Sequence, residues 1–190
     1  MNDTDPAGPQ DASTPVLESI AFDAFFEMYH QRYLDYARAQ LTLNEPHDIQ
    51  ELVETVFAGL AEDWDRILRR PNPNAHAWGA LRFMVDYEHR RRGEVLHLVE
   101  KAAFLEAERN DFRSRFGALE DNLGILQGLK QLSARQYDAL LLTRFLKYTA
   151  DQAGDVMGIN AKTVRTLVHQ ARARLATSVL HAAAPAIEKE

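Results

Sequence analysis

Six side chains near the C-terminus have the types and spacing to engage a polyanion. Lys162, Thr163, Arg165, Thr166, His169 and Arg172 recur at steps that gather them on one side of a helix. No Asp or Glu occurs between Asp155 and Glu188. Cations at such spacing neutralise phosphates, while guanidinium and hydroxyl groups reach base edges in a groove. The opposite face carries Val164, Val168, Ala171 and Leu175, an apolar back that would orient the helix. Upstream lies a short helical segment ending at Gly158, a residue free to adopt the left-handed backbone of a tight turn. Asn160 follows as a helix cap, and Gly154 leaves room for close approach of the two helices. The outline is a helix-turn-helix. It also describes a structural hairpin with a solvated basic face; the absence of acids favours duplex DNA.

A second group has the opposite sign. Asp48, Gln50, Glu51 and Glu54 line one amphipathic segment together with Phe57, and Glu62, Asp63 and Asp65 follow. The net charge is −6, so the acidic segment points to a basic partner and the cationic helix to a local DNA contact. Little else could support catalysis. There is no Gly-rich phosphate loop and no G-x-S-x-G, and His89 and His97 are too far apart to act as a ligand pair on adjacent turns. The chain has no cysteine, which excludes disulfides, cysteine-ligated zinc and a thiol nucleophile. No enzyme activity, metal or cofactor is expected. No signal pattern is present and no apolar run approaches the roughly 20 residues of a membrane span, so a cytoplasmic location without membrane insertion is expected.

The elements that must position these residues are all helical, and no strand-like alternation appears. Residues 1–16 read as a disordered acidic tail. An aromatic stripe of Phe22, Phe25, Phe26, Tyr29, Tyr33 and Tyr36 predicts a helix to about Leu41. Asp48 and Glu51 read as a capping box for a second helix ending near Arg70. Arg70 to Asn74 is a loop, with Asn74 as N-cap of a third helix carrying Trp78, Leu81, Val85 and Arg90-Arg91-Arg92. These make a first domain over 17–93, followed by a partly helical linker, 94–119. A second domain over 120–182 holds Leu123, Leu126, Leu129 and Leu132, a helix capped by Ser133 through Phe145, a short helix from Thr149 to Met157, and a last helix from Ala161 to about Leu180. Residues 183–190 form a tail.

The stretch from Leu132 to Leu175 resembles region 4 of extracytoplasmic-function (group 4) bacterial RNA polymerase sigma factors. The residues that carry the likeness are Leu132, Gln136, Met157-Gly158-Ile159-Asn160, Thr163-Val164-Arg165-Thr166 and Ala171-Arg172-Ala173-Arg174-Leu175. Asp48 to Phe57 is similar to an acidic helix in region 2 of the same family, and Ala77-Trp78 and Arg90-Arg91-Arg92 to the ends of its −10 helix. Departures are Gly79 after that Trp, Val85 at the family's usual Asn, and Gln152-Ala153-Gly154 in place of Glu-Ile-Ala. The resemblance implies a two-domain all-α factor that binds core RNA polymerase and directs promoter-specific initiation. Asp48, Gln50, Glu51, Glu54 and Phe57 would meet the beta-prime coiled coil, and region 4 the beta flap. Lys162, Thr163, Arg165, Thr166, His169 and Arg172 would read the −35 element of duplex promoter DNA. Asn74, His76, Arg82, Arg90, Arg91 and Arg92 would serve the −10 element, with Trp78, Phe83 or Tyr87 available to stack on a base. An anti-sigma protein is left open as a further partner. The alternative is a stand-alone helix-turn-helix regulator whose N-terminal bundle dimerises or senses.

Overall fold

A computed structural model describes residues 14–41, 46–92 and 128–183, and these contain helices and no strand. The first helix, α1, spans Thr14–Gln40 and begins inside the segment read as a tail. Pro15 explains the early start, because a proline in the first turn removes an amide that has no helical partner there. The second, α2, spans Pro46–Glu62 and likewise starts on a proline, so Asp48 lies in its first turn rather than at the cap. A carboxylate there still favours the helix through the N-terminal dipole. The chain breaks at Asp63 and resumes as α3, Trp64–Leu68, which turns both Trp64 and Ile67 into the core. The cap of α4, Pro73–Arg92, is Asn72 rather than Asn74: its Oδ1 accepts from the Ala75 amide at 2.9 Å.

Aromatic rings fill the space between α1, α2, α3 and α4. Phe25 meets Trp64 at 4.7 Å between ring centroids, Phe26 meets Phe57 edge-on at 4.9 Å, and Tyr36 meets Trp78 edge-on at 4.5 Å. Edge-on pairs place a positive ring edge over a negative face, which adds to the gain from burial. Leu81 and Val85 of α4 and Val53 of α2 are fully enclosed.

The C-terminal unit opens with a helical turn at 128–131 and continues with α5, Ala134–Leu140. Ser133 and Gln136 form a reciprocal capping box at its start. Contrary to the expectation of a regular helix to Phe145, Leu141–Phe145 widens into a π-turn, closed by the Leu146 amide on the Leu141 carbonyl at 3.0 Å. The chain then leaves through Lys147, at φ 61°. A left-handed backbone at a residue with a Cβ costs on the order of 1 kcal/mol that glycine avoids. Lys147→Gly is therefore expected to raise unfolding stability by up to about 1 kcal/mol, measurable as a higher urea midpoint at unchanged slope. Beyond it stand α6, Ala150–Met157, and α7, Ala161–Ala183. Leu140, Leu141, Leu142, Val156, Val164, Ala171 and Leu175 close the core of this unit.

The units expected as modules on a tether are packed against each other. The Asn72 side-chain amide donates to the Gly158 carbonyl at 2.6 Å, and Tyr148 Oη donates to Asp35 at 3.1 Å. The linker assigned to 94–119, Leu123 and Leu126 lie outside the described residues, as do residues 1–13 and 184–190. Among the described residues no helix is long and apolar enough to cross a membrane, and no cluster of three or more His, Cys, Asp or Glu could hold a metal.

Candidate nucleic-acid interface

Local chemistry builds α6, the turn and α7 from well-placed caps. Thr149 and Gln152 form a second capping box, at 3.1 and 2.9 Å, that starts α6. Gly158 ends it at φ 64°. The Asn160 side chain then accepts from the Thr163 amide at 2.7 Å and from the Thr163 hydroxyl at 2.9 Å. Gly154 serves the turn more than the crossing of the two helices. A Cβ built on it would lie 2.5 Å from the Ile159 carbonyl oxygen.

Burial of Val164, Ala171 and Leu175 fixes the rotation of α7 and leaves its other side outward. Lys162, Arg165, Thr166 and His169 are exposed, and Thr163 and Arg172 half-exposed. The Thr166 hydroxyl donates back to the Lys162 carbonyl at 3.0 Å. Arg165, Val168, His169 and Arg172 line a groove of about 430 Å³, with Arg144 and Tyr148 on the far wall. Arg144 comes from the π-turn, so the widened helix adds a cation to the basic face that spacing along α7 could not reveal. An acid reaches that face too: Asp151 of α6 lies 3.7 Å from Arg165, both largely exposed. Exposed pairs of this kind contribute little, and a phosphate would compete readily.

On α2, Asp48, Gln50, Glu51 and Glu54 are exposed along one side, while Phe57, only 2% exposed, packs inside the bundle. Gln50 and Glu54 are joined at 2.8 Å.

The residues assigned to a −10 contact scatter. Asn74 donates to Tyr29 Oη at 2.8 Å. His76 is half-buried, and burial, then the charges of Arg70 and Arg66, lower its pKa. Arg90 is exposed; Arg91 pairs with Glu88 at 2.7 Å. Arg82 turns inward to Asp138 of α5 at 2.9 Å. Arg92 ends α4. Trp78 is core, whereas Phe83 and Tyr87 are 62% and 51% exposed one helical turn apart, a platform on which a base could stack.

Asp138 is the functional-looking residue that sequence patterning passed over. It stands three and four residues before the fully buried Leu141 and Leu142, so a carboxylate occupies an apolar stripe. That was the available signal.

Residues 123–175 match the family described as Sigma-70, region 4. The match spans α5, the π-turn, α6 and most of α7, so the C-terminal unit is similar to the DNA-binding part of transcription initiation factors. No curated protein matches the chain.

Proposed function

We propose that this chain is an extracytoplasmic-function-type sigma factor that joins core RNA polymerase and directs initiation at particular promoters. The observation that carries the reading is the coincidence of the region 4 match with an outward, cation-bearing face on α7. Lys162, Arg165, His169 and Arg172 supply charge for phosphates and donors for base edges at the −35 element, and the buried Val164–Leu175 side sets the angle at which they are presented. The exposed acids of α2 form the surface offered to a basic helix of the polymerase, and Phe57 supports them from within. Phe83 and Tyr87, flanked by Arg90, suit an unstacked strand at the −10 element.

Charge reversal on α2 tests the polymerase half without touching DNA binding. Glu51→Lys with Glu54→Lys is expected to weaken co-elution with core polymerase at least 10-fold while leaving helicity unchanged, because like charge against a basic partner suppresses association. Undiminished co-elution would remove α2 from the interface. A stand-alone regulator would instead protect a palindrome from nuclease in the absence of polymerase.

A further inference from the structure

We propose that Arg82, Asp138 and Tyr36 form a clasp that docks the two helical units on each other, and that this closed state withholds Arg82 and the start of α4 from DNA until the units separate. Asp138, from the C-terminal unit, is 1% exposed and is held from two elements of the N-terminal one. Tyr36 Oη of α1 donates to its Oδ1 at 2.9 Å, and Arg82 Nε of α4 lies 2.9 Å from its Oδ2. Gln40 extends the network, donating to Tyr36 Oη at 3.0 Å and accepting from Tyr137 Oη at 3.2 Å. A short distance away the helix-turn-helix turn rests on the first turn of α4. The Gly158 carbonyl accepts from Asn72, and a Cβ on Gly158 would come within 2.3 Å of the Ala75 nitrogen.

The closed state conflicts with simultaneous use of both surfaces, and this step rests on the sigma-factor reading above. The −35 and −10 elements are named for positions about 25 base pairs apart, roughly 85 Å at about 3.4 Å per base pair. Here the turn that precedes the recognition helix touches the start of α4. Residues 93–127 are long enough to let the units part, since that many residues reach on the order of 100 Å when extended. The clasp must therefore open for promoter engagement, and an ionic clasp suits that task. Buried ion pairs add little net stability when intact but strongly oppose the loss of one partner.

The charge state of Asp138 sets the sense of the pH dependence. Burial pushes its carboxyl up to about 6, against the opposing pull of Arg82 and the Tyr36 hydroxyl. A carboxyl raised on closing takes up a proton as the units dock. Its contribution to closure is thus fully present below the ordinary value of 3.8 and is lost as pH rises through about 6. The groups around it are Tyr36 and Gln40 from α1, Arg82, Asp86 and His89 from α4, and Lys130 and Tyr137 from the C-terminal unit, lining a cavity of about 210 Å³.

Because the chain has no cysteine, spin labels at Ala58→Cys and Ala173→Cys report the separation of the units directly. Asp138→Lys, which sets two cations against each other, is expected to shift the distance distribution to longer values. It should also tighten binding of a fluorescein-labelled single-stranded oligonucleotide at least 5-fold, compared with the charge-matched surface change Asp63→Lys. Arg82→Met, a second opening variant should the first fail to fold, leaves a buried carboxylate without its counter-charge; it should open at pH 8 and close again at pH 5. Asp138→Asn should stay closed, because its amide is neutral like the protonated carboxyl and Arg82, 24% exposed, keeps Asp86 at 3.9 Å. The closed fraction of the wild type should therefore fall between pH 5 and 8 more than that of Asp138→Asn, which retains His89. Unchanged distances in folded Asp138→Lys and Arg82→Met would overturn the clasp. Longer distances with oligonucleotide affinity no better than that of Asp63→Lys would overturn its masking role, leaving the sigma-factor reading to be judged by transcription.

Discussion

Gly154→Ala is expected to destabilise the C-terminal unit by roughly 1–3 kcal/mol, the usual cost of forcing extra volume into a packed site, and to weaken sequence-specific DNA binding with it. Alanine is ordinarily the better helix former by about 1 kcal/mol, so a naive expectation has the opposite sign. Geometry reverses it. The new Cβ would sit 2.5 Å from the Ile159 carbonyl oxygen and 3.4 Å from the Ala161 nitrogen, all backbone that cannot rotate away. Relief requires moving the turn, and with it the Asn160 cap that starts α7. Gly79→Ala is the internal comparison: it lies in α4 with nothing within 4 Å, so there the propensity gain of up to about 1 kcal/mol should appear as added stability. Urea unfolding of the two variants reads both signs. A Gly154→Ala protein as stable as the parent would mean that α6 and the turn do not approach as described.

Loss of Arg165 is expected to lower affinity for the preferred promoter sequence about 5- to 150-fold, the equivalent of roughly 1–3 kcal/mol for one bidentate base contact. Arg165 is exposed at the start of α7, on the side opposite the buried Val164, Ala171 and Leu175. Its only described ionic neighbour is Asp151 at 3.7 Å, too exposed to hold it against DNA. Titrations of Arg165→Ala against the preferred and a scrambled duplex separate two roles. A base contact lowers only the preferred affinity; a phosphate contact lowers both alike and reduces the salt slope by about 1. No change in either would take Arg165 out of the interface.

The helix-turn-helix was legible because its signals are local. Ser133, Gly158 and Asn160 are caps and turns whose geometry depends on near neighbours in the chain, and each takes the role its type suggests, whereas Thr149, read as the first residue of α6, is its cap. The aromatic stripe of α1 was legible for the same reason, since a period of three to four residues needs no knowledge of the partner. Helix starts were read less well. Pro46 and Pro73 begin α2 and α4, and each displaced the cap inferred from an acid or amide one or two residues on. The π-turn at Leu141–Phe145 leaves no periodic trace, because one inserted residue merely shifts the phase of an apolar run. The docking of the two units was invisible for a more basic reason. Tyr36, Arg82 and Asp138 are up to 102 residues apart, and an arginine on a helix presumed to face DNA reads as a DNA contact until its partner is seen.

Transcription by purified core RNA polymerase on a library of promoter fragments measures most directly what this chain does. With the chain present, run-off products should start at fixed positions on a subset of fragments that share paired −35 and −10 sequences, and Arg165→Ala should erase that selectivity. If core polymerase gains no defined starts while the chain alone protects a symmetric site, the protein acts on DNA without serving as a polymerase subunit.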